Sequence, residues 1–251
     1  MTTAPVTPTP DIQPLSEPAR IFDTIIAPKK TFIDIRRSAA WWGPFLVMVI
    51  LAIGFSYAVG AKVGYRKLVD NQVERSPKAQ QQLEQLSRED RDRQLNARAN
   101  FTKYLLYGFP LVGVIWNLIV AAVLFATLKF ALNTELRFGG TFAVVMYAGL
   151  ALSVRTILAI VMLFAGQDPD SFNIRNPAPT SGGFYLAPES SPFLYSVATS
   201  FDLMMIWALF LTALGLSIVS KKLKLSTAML VVFGWYVAFM LVSAVLAAAF
   251  S

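Results

Sequence analysis

The sequence predicts an all-α fold: a polytopic membrane protein, a bundle of five transmembrane helices with a charged helical hairpin between helices 1 and 2. Three observations carry this expectation. Apolar residues make up 55% of the 251 and charged residues only 15%, a balance far from that of soluble domains. The apolar residues gather in continuous stretches of about 20 or more, the length that crosses a bilayer. Lysines and arginines crowd the ends of those stretches, as they do where charge sets orientation in a membrane.

The chain contains no Cys and no His, which excludes disulfides, thiol catalysis, Cys/His metal sites and imidazole acid–base chemistry. No nucleophile-and-base pair or metal-ligand set stands out, so no cofactor and no enzymatic activity are expected. A net charge of +7 would suggest nucleic acid in a soluble chain. Here the basic residues sit beside apolar spans, so the expected partner is anionic lipid rather than nucleic acid.

Residues 1–19, rich in Pro and Thr and without a basic start or apolar centre, are expected to form a disordered tail rather than a signal peptide. Residues 20–40 follow as an interfacial amphipathic segment. Ile21, Phe22, Ile25 and Ile26 share one helical face before Pro28, and Phe32, Ile33 and Ile35 continue among Lys29, Lys30, Arg36 and Arg37. Such a segment either anchors in the headgroup plane or docks a partner protein. The domain proper is 41–251, with spans at about 41–61, 104–132, 141–165, 193–219 and 226–250. Trp41 and Trp42 open the first span as interfacial anchors. The hairpin, 62–103, holds ten basic and six acidic residues; Ser76 before Pro77 and Ser87 before Asp90 are helix-start signals within it. Residues 166–192 hold five prolines and the pair Gly182-Gly183, an irregular loop. Lys221, Lys222 and Lys224 form a basic turn before the last span and are lipid or partner contacts of the same kind as the N-terminal ones. The distribution of basic residues favours a cytoplasmic N-terminus and a C-terminus on the opposite side.

Arg155 poses the functional question, because no other charge occurs between Thr141 and Gly166. A guanidinium keeps its proton in hydrocarbon and costs about 2.5 to 3.5 kcal/mol near the centre. Arg155 lies ten residues inside Ala165 and Asp202 nine residues inside Phe193, depths of about 15 and 14 Å from the same loop. The two are expected to pair, with Asn117 of the second span near their level as a further hydrogen-bonding group. The resulting intramembrane polar cluster, Asn117, Arg155 and Asp202, either fixes register between helices or lines a path for an ion, a proton or a headgroup.

Three stretches resemble the bacterial branch of the Yip1 domain family: "RIFDTIIAPKKTFIDI", "FGGTFAVVMYAG" and "SFDLMMIWALFLTALGLSIVSKKLKLSTAMLVVFGW". The resemblance places Asp202, Trp207, Gly215 and the basic turn where the family pattern has them. It implies a five-helix integral membrane protein with a cytosolic N-terminus. Eukaryotic members sit in Golgi and endoplasmic reticulum membranes, bind prenylated GTPases and take part in vesicle traffic; their cytosolic "DLYGP" motif is not found in this sequence. The implied role here is a scaffold or accessory protein of a bacterial inner membrane, engaging lipid, another membrane protein or a second copy of itself. The alternative is a small transporter using the polar cluster.

Overall fold

The computed structural model describes residues 14–186, 191–220 and 222–250. Expectations for the tail before residue 14 and for Lys221 lie outside these residues.

Local signals explain most helix limits. Ser16 accepts the Ala19 backbone N–H and starts α1, Glu17–Ile26. Pro28 cannot continue that helix but suits the first turn of the next, so it opens α2, Pro28–Ile35. α3, Trp42–Lys62, ends where Gly64 takes a φ of 84°, a backbone state that glycine adopts without strain. α4 is Tyr65–Glu74. Ser76 caps α5, Pro77–Glu84, and Ser87 caps α6, Arg88–Ala126. In the second cap Ser87 also donates to the Asp90 carboxylate at 2.8 Å.

α6 is one helix of 39 residues, about 58 Å long and close to twice a hydrocarbon core. Its first turns pack with α4 in the charged hairpin and its remainder crosses the membrane beside α3. Pro110 lies within it without breaking it. A π-helical turn at Thr127–Ala131 ends the rod. α7, Phe138–Ala148, and α8, Ala151–Phe164, form a third span with a slight interruption at Gly149 and Leu150.

The fourth expected span, 193–219, is not one helix. It splits into α9, Pro192–Ser200, and α10, Leu203–Val219. The break has a physical cause: Thr180 and Ser181 of the proline loop reach the open backbone. Gly182 N–H donates to Phe201 O at 3.1 Å and Leu203 N–H to Thr180 O at 2.8 Å. Irregular backbone beside a membrane helix is tolerated when its polar groups are satisfied in this way. α11, Leu225–Phe250, completes the chain.

Four helical spans are long and apolar enough to cross a membrane, Trp42–Lys62, Arg88–Ala131, Phe138–Phe164 and Leu225–Ala249, and Leu203–Val219 is a shorter apolar helix. The protein is a polytopic helical membrane protein. Ile50, Leu111 and Leu230, each more than 60% exposed, form outer faces that only hydrocarbon would wet. The centre of the bundle is the α7–α8 span packed on α10, with Ala143, Val144, Tyr147, Leu211 and Leu216 buried.

Candidate functional site

Two arrangements gather the chemistry-bearing residues. The first is the junction at the α9–α10 break. Arg155 of α8 and Asp202 meet there, Nη1 lying 3.4 Å from Oδ2. Asp202 is buried, and its carboxylate has other work. Oδ1 accepts the backbone N–H groups of Met204 at 2.8 Å and Met205 at 3.1 Å, which makes Asp202 the N-cap of α10. Oδ2 accepts the Thr180 hydroxyl at 2.8 Å. Helix-end N–H groups and a hydroxyl therefore hold the negative charge, with Arg155 as a longer fourth contact whose side chain stays 33% exposed. Asn117 goes elsewhere. Its amide donates to the Met146 sulfur at 3.4 Å, and Met146 precedes Arg155 by nine residues, about 13 Å along the span. Depth counted from Tyr104 misplaces it, since that count starts on α6 rather than at the loop that Arg155 and Asp202 share.

The proline loop is irregular but tied down at both ends. Asn71 of α4 donates to Pro169 O at 2.8 Å and Phe172 O at 3.2 Å, and Arg75 donates to Ser171 O at 2.8 Å. Phe172 is buried against Ala58, Val59, Leu68 and Leu163, and Lys67 pairs with Asp170. Further along, the Asn176 amide donates to the Tyr195 hydroxyl at 2.6 Å and to Thr199 at 3.0 Å, while Asn173 donates to the same tyrosine at 2.6 Å.

The second arrangement is the N-terminal helix pair, seated on the bundle rather than merely beside it. Phe32 and Ile35 are buried in the main core. Phe32 occupies a notch left by Gly215 of α10, where a methyl group would lie 2.9 Å from its ring and 2.6 Å from Val144 Cγ1. A buried ionic network locks the pair in place. Arg20, 1% exposed, donates from Nε to Asp34 Oδ2, from Nη1 to Glu17 at 3.1 Å and from Nη2 to Ser38 O at 3.2 Å. Tyr147 of α7 donates to the other Glu17 oxygen at 2.5 Å. Thr24 and Thr31 both donate to the Arg20 carbonyl. Burial by itself would raise the Asp34 carboxyl, but the hydrogen bonds from Arg37 and Arg20 outweigh it and hold the group below the usual carboxylate range.

The outward face of the pair is mixed. Phe22, Ile25, Ile26 and Ile33 are exposed, as are Lys29, Lys30 and Arg36. Arg37 is committed in part to Asp34, at 3.0 Å. Trp41 stacks edge-on against Phe142 at 5.3 Å, and Trp42 is half exposed. In the basic turn Lys222 pairs with Glu135 at 2.5 Å, and Lys224 is exposed. Sequence reasoning missed Glu17, Arg20, Asp34 and Tyr147. The i,i+3 spacings of Glu17 with Arg20 and of Asp34 with Arg37 were visible signals, but their burial depends on α7 and α10. It also missed the capping role of Asp202, although an Asp directly before an apolar run is a helix-start signal.

The Yip1 domain model matches residues 22–248. The chain belongs to the Yip1 domain family. The match runs from within α1 into α11, so it covers α2, the hairpin and the junction, while Glu17 and Arg20 precede it. No curated protein and no solved structure matches the chain.

Proposed function

We propose that this Yip1-family protein is a non-enzymatic scaffold or accessory protein of a bacterial cytoplasmic membrane, with its N-terminus in the cytoplasm and its C-terminus on the other side. The α1–α2 pair is its working surface, engaging anionic headgroups or another membrane protein. One observation carries the reading: the pair spends its buried charges on fixing its own position, through Arg20, Asp34, Glu17 and Tyr147, while Phe22, Ile25 and Ile26 stay exposed beside Lys29 and Lys30. A rigid mount bearing an apolar stripe and a cationic edge suits an interface of headgroups and acyl chains.

The absence of cysteine makes the test simple. A single Ile26→Cys variant carries an environment-sensitive fluorophore in nanodiscs of phosphatidylglycerol or phosphatidylcholine and in native membranes. The expected result is an apolar environment in anionic discs or in native membranes. A fully aqueous signal in all three removes the proposal.

The second reading is transport along the Arg155–Asp202 pair, without Asn117. It draws on the discontinuous fourth span, since broken helices hold ion and substrate sites in many transporters. Ion and proton flux into liposomes, lost in Asp202→Asn, is its expected signature, and the absence of flux in the wild type removes it.

A further inference from the structure

A cavity of about 1050 Å³ lies between the charged hairpin and the proline loop, on the membrane face opposite the N-terminal helix pair. Arg75 from the end of α4, Arg175 from the loop, and Tyr195, Ser196 and Thr199 from α9 line it. Among its described lining residues two are cationic and none is acidic, so its field favours an anion.

The hydrogen bonding of the walls sharpens this. Tyr195 Oη accepts from both Asn173 and Asn176, each at 2.6 Å. With its acceptor capacity filled, its own proton is left to donate. Thr199 Oγ1 likewise accepts from Asn176, at 3.0 Å. Arg75 uses one donor on Ser171 O and keeps the rest of its fork, while Arg175 is exposed. The amide that orients these hydroxyls is itself fixed. Asn176 is 4% exposed and accepts from Ser181 at 2.7 Å. Gly183 presses so closely on Thr199 and Asn176 that a side chain there would collide with both. The donors are thus set in place before any ligand arrives, which lowers the cost of binding. Phe184, Leu186 and Ala247 give the cavity an apolar side, and Ala247 belongs to a membrane-crossing helix.

We propose that this cavity binds a phosphate ester, its phosphoryl oxygens taking the guanidinium donors of Arg75 and Arg175 and the hydroxyl donors of Tyr195 and Thr199. The ester is either the headgroup of an anionic phospholipid, with its chains leaving past Ala247, or a soluble phosphate ester.

The experiment uses the full chain in neutral detergent, with native mass spectrometry reading bound phosphatidylglycerol against diacylglycerol, which lacks the phosphate, and thermal melting reading added glycerol 3-phosphate. The expected result is a preference of about tenfold for phosphatidylglycerol, the discrimination that one charge-assisted contact supplies. Arg175→Gln should lose about that factor and Arg175→Lys should keep most of it. Ser196→Phe, which fills the cavity without touching a charge, should abolish retention while leaving the melting temperature of the ligand-free protein within a few degrees of the wild type. Stabilisation by glycerol 3-phosphate that Ser196→Phe removes identifies a soluble ester as sufficient. Retention of the lipid without that stabilisation identifies the headgroup in its membrane setting. Equal retention of both lipids with no effect of glycerol 3-phosphate overturns the proposal, as does binding that survives both Arg175→Gln and Ser196→Phe.

Discussion

Replacing Asp34 by Asn tests the mount of the helix pair most directly. The substitution keeps shape and removes one charge next to Arg20, which is 1% exposed. Breaking a buried ion pair from one side typically costs about 3 to 5 kcal/mol. The structure supplies reasons to expect less. Glu17 at 3.1 Å and Ser38 O at 3.2 Å still accept from the guanidinium, and an asparagine oxygen retains one acceptor. About 2 to 3 kcal/mol is then expected, raising the population of undocked helix pairs by about 30- to 150-fold. Trypsin reads that population, because Lys29, Lys30 and Arg36 lie on a segment that must detach to enter a protease. Initial cleavage there should accelerate by the same factor in detergent, with the rest of the chain intact. A second arm guards against a trivial result: Arg20→Met combined with Asp34→Leu replaces the pair by apolar groups and should be cleaved more slowly than Asp34→Asn. Cleavage of Asp34→Asn within twofold of the wild type, or strictly additive effects of the two sites, would refute the network as the lock.

Gly215→Val should eject Phe32 from its notch, lowering stability by about 1 to 3 kcal/mol and giving the same protease signature from the opposite partner. Asp202→Ala removes the cap of α10 and orphans Thr180, and should cost about 1 to 3 kcal/mol; Arg155→Met should change stability by less than about 1 kcal/mol, both read as melting in detergent. Acid should release the helix pair. The Asp34 carboxyl is depressed in the fold and returns to about 3.9 when released, so its stabilisation is complete above that value and lost as pH falls through the lower, folded one. A fluorophore at Ile26→Cys should report the change below about pH 4, and Asp34→Asn should flatten that acid limb.

The spans were legible because hydrocarbon imposes a length and a composition on each of them, and the serine caps of the hairpin because their hydrogen bonds are local. The meeting of Arg155 with Asp202 followed from counting residues from a shared loop. Asn117 defied the count, since its depth was taken from Tyr104 on another helix and not from the loop that Arg155 and Asp202 share. The break at Phe201 and Asp202 was hidden for another reason. Residues 193–219 are apolar enough to pass as one helix, and what divides them is Thr180, some twenty residues away, supplying bonds that periodicity cannot reveal. Arg20 and Asp34 drew no notice in the sequence because their burial depends on packing against α7 and α10, far along the chain.

The unbroken course of α6 has a mechanical consequence. A helix that runs from Arg88 to Ala126 and lacks only the backbone bond that Pro110 cannot donate behaves as a lever whose short outer arm is grasped by α4. The same helix thus joins α4 at one end to the π-turn at the other, where the Trp235 indole of α11 donates to the Thr127 hydroxyl at 3.0 Å.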